Sequence, residues 1–358
     1  MRVVQLIDTL NAGGAERVAV NYANMLSGEI PGSYLATSRD FGVLEDELYD
    51  KVVYINLNKK STFDFSAIIR FKKFLKSNNI NIVHAHTTSY FFAILTKFFY
   101  RKIKVIWHDH QGNRDELNVM KQIPLIVSSF FFNGVIVVNS RLESWVKKYL
   151  QSKNVIYMEN FVFEGSKRIG ETKLFGNEEK RIISVANLKE PKNHMFLLKA
   201  FNMVHRKNKD WSLHLVGSDY QDSYSNELKE YIKEHELEKS VFIYGLRKDI
   251  DTILDQCSIG VIVSSFEGLP MALLEYGKAG LAVITTDVGS CKDLVEDRGI
   301  VIESDNEEQL INAMNLLIED QVLKGASADK IKRYIDSNFT QSTVLRKVMK
   351  FYNLIFTE

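Results

Sequence analysis

Cysteine is nearly absent from this chain, with two thiols, Cys257 and Cys291, in 358 residues. Neither sits at metal-ligand spacing, so a disulfide framework and a thiolate metal module are excluded, and reduced thiols in a cytoplasmic protein are expected. Long apolar runs are missing too. The longest uncharged window, Gln122–Ser140, reaches the length of a membrane span, but Pro124, Ser128-Ser129 and Asn133-Gly134 interrupt it. It reads as a helix, a turn and a strand at Val135–Val138, and no transmembrane helix is expected. No secretory leader is expected either, because Arg2 opens directly into the alternating run Val3–Ile7. A large net charge is the third absence. With 46 Lys+Arg against 45 Asp+Glu the formal charge is +1, which argues against a general polyanion binder. There is no short-period repeat and no low-complexity tract.

What is present is enough apolar matter, 45% of 358 residues, to bury two cores. Short β-branched runs recur at Val3–Ile7, Tyr34–Thr37, Val52–Leu57, Ile80–His84, Val105–Trp107, Val135–Val138 and Val155–Met158, with helical patterns such as Phe65–Lys76 and Arg141–Leu150 between most of them. Residues 161–180 lapse into a polar, glycine-bearing stretch. A second alternating series follows, from Arg181–Ala186 through Ser212–Val216, Val241–Tyr244, Ile259–Val263 and Ala282–Thr285. Alternation of this kind predicts two doubly wound, parallel-sheet α/β domains, in which ligands gather at the carboxyl ends of the strands. The expected division is 1–163, a linker over 164–180, 181–340, and a closing helix over 341–358 that packs back on the first domain across from a cleft.

One stretch concentrates the chemistry. Ser264–Gly280 reads SSFEGLPMALLEYGKAG and follows a strand-like run, so strand, tight loop and helix are predicted. Gly268 and Pro270 end the strand and start the helix. Glu267 lies in the loop and Glu275 lies eight positions on. The climb from Pro270 to Glu275 is only roughly 8 Å, so both carboxylates can face one small polar ligand. The helix start at Leu269, Pro270 and Met271 offers N–H groups and a partial positive charge to a phosphate. Hydroxyls plus phosphate describe a nucleotide-sugar. The plain alternative is a loop-capping Glu267 and a solvated Glu275.

This stretch resembles the E-x7-E signature of the family 4 retaining glycosyltransferases, which have the GT-B fold. The resemblance implies that Glu267 contacts the transferred sugar and Glu275 the nucleotide ribose. NAGGAER, with Gly13 and Gly14 between a strand and a helix, is similar to the family's first loop, whose glycines pass close to the donor phosphates. It is not a G-x-G-x-x-G fingerprint, and a dinucleotide site is disfavoured. WHDHQ is similar to the segment that carries a sugar-contacting histidine; His110 matches best and His108 is the alternative. In SVANLKEPKNH the lysine that binds the diphosphate matches Lys192, whereas the family's arginine position holds Asn187. A neutral amide does not offset phosphate charge, so diphosphate binding leans on Lys192, the helix start and Arg247. Gly217 matches the glycine beside the base and ribose, with a simple turn as the alternative. His84 and His86 are expected after one strand and His108 and His110 after the next; residues i and i+2 share a face, so each pair could bite a cation, but no carboxylate pair accompanies them, and no metal or other cofactor is expected.

Charge is unevenly spread. Residues 1–160 hold 20 Lys+Arg and 14 Asp+Glu, and between Lys59 and Lys104 there are ten basic residues and one acid, Asp64. Tyr90–Lys104 would place Phe91, Phe92, Ile94, Leu95, Phe98 and Phe99 on a helix beside Lys97, Arg101, Lys102 and Lys104, with Arg70, Lys72, Lys73 and Lys76 close in sequence. This resembles a patch for an anionic membrane surface; the alternative is that the aromatics are core and the lysines a solvated face. No nucleic-acid module accompanies it, and nucleic acid is not expected as a partner. The whole reading is a retaining glycosyltransferase, catalytic through Glu267, His110 and Lys192. It moves a sugar from a nucleotide-diphosphate donor, UDP by expectation, to a glycan or lipid-linked glycan acceptor in surface-polysaccharide or glycolipid assembly, on the inner face of the cell membrane. A sugar-nucleotide epimerase or hydrolase of the same fold, a phosphorylase-like enzyme, and a non-catalytic nucleotide-sugar-binding subunit are the alternatives.

Overall fold

A computed structural model of the chain describes residues 1–11, 13–111, 114, 118–161 and 172–357. They fall into two compact units, Met1–Phe163 with Gln341–Glu358, and Glu164–Thr340. In the first unit seven strands form one parallel sheet: β1 (Arg2–Ile7), β2 (Gly32–Thr37), β3 (Val53–Asn56), β4 (Ile82–His86), β5 (Lys104–Asp109), β6 (Gly134–Val137) and β7 (Val155–Tyr157). Their order is β3-β2-β1-β4-β5-β6-β7. The chain therefore starts in the sheet, winds outward to β3, and returns to the other side of β1 with β4. The junction of β1 and β4 is a topological switch point, where loops leave in opposite directions and open a crevice.

The second unit repeats the plan with six strands: β8 (Arg181–Val185), β9 (Ser212–Val216), β10 (Val241–Gly245), β11 (Ile259–Ile262), β12 (Ala282–Thr286) and β13 (Ile300–Ile302). The order β10-β9-β8-β11-β12-β13 puts its switch point between β8 and β11. Strands buried on both faces need side chains that fill space without polar atoms, and β-branched residues do this on a pleated surface. β11 and β12 are buried at every position. No described helix is long and apolar enough to cross a membrane; the Gln122–Ser140 window resolves into a helix, Ile123–Ser129, and β6.

Two expectations need correction. His84 and His86 do not follow a strand; they lie inside β4, and His108 and Asp109 lie inside β5. The histidines stay in the sheet because they satisfy one another's ring nitrogens there. The expected linker falls partly on residues 164–171, outside the described residues, while 172–180 is tied to the second unit. Thr172 gives its N–H and its hydroxyl to the Asp249 carboxylate, and the Arg181 guanidinium collects the carbonyls of Leu174, Phe175 and Gly176.

The helix Met271–Ala279 is locked on its sheet by one residue. Tyr276 is wholly buried, and a Cβ at Gly260 on β11 would stand 2.4 Å from its ring, so only glycine lets the ring lie flat there. The phenol oxygen accepts the Val185 N–H at 2.6 Å. Tyr276→Phe leaves that N–H buried and unpaired, at a cost of about 1–3 kcal/mol. A urea titration should give a lower midpoint for this unit with unchanged slope; an unchanged midpoint would refute the lock.

Candidate active site

At the second unit's switch point the loop after β8 meets the loop after β11. Glu267 is 8% exposed, and one carboxylate oxygen accepts both Ser264 Oγ at 2.7 Å and Lys192 Nζ at 2.5 Å. Pro191 O accepts the Ser265 N–H, and Thr286 Oγ1 donates to Ser264 O. The turn is also held from the β12 side. A Cβ on Gly289, whose φ is +54°, would lie 2.2 Å from Glu267 O, and Ser290 N–H donates to Gly268 O. Glu267 thus sits on fixed backbone with a fixed oxygen. Glu275 is half-buried on the helix that follows, while Leu269 and Met271 turn their side chains into the core.

Beside this turn stand the ends of β9 and β10. A Cβ on Gly217 would fall 2.1 Å from Ala186 O, so the β9 turn passes against the β8 loop only because the residue is glycine. Asn187 Oδ1 accepts the Ser218 N–H at 2.9 Å, stitching the same two loops. Arg247 is half-buried and donates to the neighbouring Leu246 O. Side-chain capping is uneven among the described helices, and those starting at Tyr90, Ile123, Ile250 and Cys291 have no side-chain cap bond. Those starting at Phe65, Ser140, Ser223, Glu307 and Gln321 each donate a first-turn N–H to the side chain of an Asp or Asn cap. Those starting at Gly14, His194 and Met271, each following a switch-point strand, have no side-chain cap bond, which leaves their first N–H groups to other partners.

In the first unit the switch point carries histidines. His84 Nδ1 pairs with Tyr352 OH at 2.6 Å and its Nε2 with His108 Nδ1 at 3.2 Å. His86 Nδ1 pairs with His110 Nε2 and its Nε2 with Gln5 Oε1, both at 2.9 Å. Nitrogens of His84, His86 and His108 come within 4.8 Å of one another. The ring planes of His84 lie 22° from His86 and 14° from His108, however. Lone pairs in near-parallel planes run alongside one another rather than converging on one ion, so the group is organised as a hydrogen-bonded block. His108 is buried while His110, past the strand end, is half-buried. Between them Asp109 is buried and held bidentately by Arg114 at 2.5 and 2.8 Å, fixing the segment. Gly13 is extended backbone and Gly14 opens its helix; Ala12 lies outside the described residues.

The basic, aromatic face is also in this unit. Phe92 and Ile94 enter the core, but Phe98 and Phe99 are about half exposed, and Phe98 packs on Phe131 while Phe99 packs on Phe65. Exposed Ile69, Phe63, Met120, Ile123, Val127 and Phe130 belong to neighbouring segments of the unit. Lys97 departs from the expected role of a solvent cation, because its ammonium donates to Phe131 O and Asn133 Oδ1. Burial pulls its pKa down to about 8.

Two family models match this chain along most of its length, "Glycosyltransferase Family 4" over residues 12–162 and "Glycosyl transferases group 1" over residues 166–337. The chain belongs to this glycosyltransferase family. The transferase is 26% identical over 336 residues to the amylovoran biosynthesis glycosyltransferase AmsD of Erwinia amylovora, spanning 90% of this chain and 92% of that one. It is 25% identical over 348 residues to an Escherichia coli UDP-Gal:alpha-D-GlcNAc-diphosphoundecaprenol alpha-1,3-galactosyltransferase, covering 89% and 88%. Anabaena HepE, solved with UDP and glucose, superposes with a TM-score of 0.82 over 99% of both chains at 16% identity. The two parallel-sheet units are the GT-B fold.

Several residues of the transferase's site escaped the sequence reading. Ser264, Gly289 and Ser290 carried no signal beyond being small and polar. Tyr352 contacts His84 from 268 positions away, beyond the reach of any local pattern. Gln5 did carry one, as a lone amide in the apolar run VVQLI.

Burial holds His84 and His110 down at about 3 and holds His86 and His108 well below the ordinary histidine range, with repulsion between the rings adding to this for all but His110. The unfolded chain binds these protons near about pH 6.5. Stability is therefore full above that pH and falls as pH drops toward 3, by about 1.4 kcal/mol per unit for each histidine. Urea midpoints measured from pH 7 to 5 should decline steadily; a flat profile would contradict neutral burial.

Proposed function

We propose that the transferase moves a sugar, with retention of anomeric configuration, from a UDP-sugar to a hydroxyl of a lipid-linked glycan. The observation that carries this is the Glu267 carboxylate, buried at a switch point, oriented by Ser264 and Lys192, next to a helix start without a side-chain cap. Glu267 meets the sugar and Glu275 the ribose. Lys192 spends one of its three N–H donors on Glu267 and turns the others to the diphosphate, together with the helix N–H groups near Met271. Asn187 adds no charge, and Arg247 supplies a further cation. The sugar–phosphate bond breaks as positive charge builds on the sugar and negative charge on the departing phosphate oxygen, which Lys192 and the helix start stabilise. The acceptor oxygen bonds to the same face of the anomeric carbon, and its proton passes to that phosphate oxygen. These steps draw on no metal ion. His110 is the first unit's contact to the sugar, with Gly13 and Gly14 passing the phosphates. The UDP-Gal donor and diphosphoundecaprenol acceptor in the name of the E. coli relative support this choice of substrates, as does the UDP held by HepE.

The purified protein, heated with UDP, GDP, ADP and their sugars, should be stabilised by UDP and UDP-sugars, by roughly 2.7 kcal/mol at a hundred times the dissociation constant. Glu275→Ala should abolish the shift. Glu267→Gln should keep it while turnover falls about a hundredfold. A shift indifferent to Glu275, or full turnover in Glu267→Gln, would refute the assignment.

The acceptor's lipid implies work at an anionic membrane surface, the cytoplasmic leaflet. Phe98, Phe99 and Phe130 supply the apolar contact, and Arg101, Lys102 and Lys104 the charge, with Lys97 anchoring the loop behind them. Phosphatidylserine vesicles should retain the protein at low salt. Phe98→Ser with Phe130→Ser, or Arg101→Gln with Lys102→Gln, should each release most of it, whereas equal retention of all three proteins would exclude this face.

A further inference from the structure

We infer that Gln5 and His86 are positioning residues that hold His110 as its Nε2–H tautomer and so leave Nδ1 as the ring's open acceptor toward the donor sugar. The inference rests on the reading that His110 meets that sugar. Gln5 is fully buried in the middle of β1, and its amide oxygen lies 2.9 Å from His86 Nε2. A carbonyl oxygen only accepts, so His86 carries its proton on Nε2 and its Nδ1 is a bare lone pair. His110 Nε2, 2.9 Å away, must then donate to it. A neutral imidazole has one donor and one acceptor, which leaves His110 Nδ1 accepting. Among the described residues the ring's only hydrogen bond is the one to His86.

The other end of the same amide runs through a second chain. Gln5 Nε2 points at Tyr352 OH at 3.5 Å, Tyr352 gives its proton to His84 Nδ1, and His84 Nε2 donates to His108 Nδ1. His108 ends with a buried Nε2–H that has no partner. One amide therefore sets the sense of both chains; rotated half a turn, it would reverse every bond and move the His110 proton to Nδ1. Packing keeps the rings in this register. His110 stacks 4.0 Å from His108 and 5.2 Å from His86, and Tyr22 stands edge-on to His84, His86 and His108. Burial keeps all four rings neutral at pH 7, so the variable is the tautomer and not the charge. A neutral acceptor takes a proton from a hydroxyl or an amide N–H and repels a carboxylate. The donor accordingly bears a hydroxyl or acylamino group, not a carboxylate, opposite His110.

The test is a nitrogen-15 spectrum of histidine-labelled full-length protein at pH 7, with the His110 signals assigned by their loss in His110→Gln. The expected result is a pyrrole-type Nε2 and a pyridine-type Nδ1 for His110. A proton on Nδ1, or a charged ring, overturns the inference. Gln5→Leu should make His110 a mixture of both tautomers, whereas Gln5→Glu, whose carboxylate only accepts, should keep the Nε2–H form. An unchanged His110 signal in Gln5→Leu that unfolds at the wild-type temperature also overturns it, and the wild-type spectrum decides the question if that variant does not fold. UDP-glucose, UDP-galactose and UDP-N-acetylglucosamine are then added in turn, with UDP alone as control. A shift of Nδ1 with a sugar and not with UDP supports the donor contact. If UDP binds and no sugar moves Nδ1, the reading of His110 as a sugar contact fails while the tautomer assignment stands.

Discussion

A parallel sheet that is entered near its middle has to be wound outward in two directions, and the loops that leave its two central strands must then diverge. Both units of this transferase obey that constraint, at β1 against β4 and at β8 against β11. In the second unit the divergence is bridged by a charged contact, Lys192 to Glu267, backed by the Ser265 N–H on Pro191 O. The pair is part-buried, so its attraction is screened less than at a surface, and Ser264 shares the load on the same oxygen. Glu267 and Lys192, on the loops after β11 and β8, lie on backbone that these few bonds hold together.

The first unit solves a different problem, the placing of polar rings inside a sheet. An imidazole without partners would be expensive there. Four histidines, Tyr352 and a glutamine meet that cost by serving each other, and desolvation keeps the rings uncharged. The one orphan, His108 Nε2, is the end of a chain rather than a break in it.

Much of this fold is legible in the chain because its cause is local. β-branched runs of four to six residues, spaced by helical patterns, leave few options other than two doubly wound sheets. The EGLP turn is legible for the same reason, since glycine and proline act on their own backbone. Strand ends are less so. His84, His86 and His108 read as lying at or past strand ends because polar rings inside a buried strand run against the pattern, and what keeps them there is Tyr352 on the last helix and Gln5 on the first strand. The neutral cap of the Glu267 turn, Gly289 and Ser290, is invisible for a related reason: its contribution is an approach between backbones, which no side-chain pattern records. Lys97 shows the converse, a cation in a basic run that is used internally.

The closing helix, Gln341–Thr357, belongs to the unit the chain began with. Phe351 and Ile355 lie where any side chain at Gly134 would collide with them, Lys347 pairs with Glu159, and Tyr352 supplies the phenol that completes the histidine block. Domains usually fold in the order in which they are synthesised. The second unit is contiguous in the chain, whereas the first is completed only by the seventeen-residue helix that follows the second. Until that helix is made, His84 lacks its phenol partner, so the histidine block of the first unit is completed only after the residues of the second unit have been synthesised.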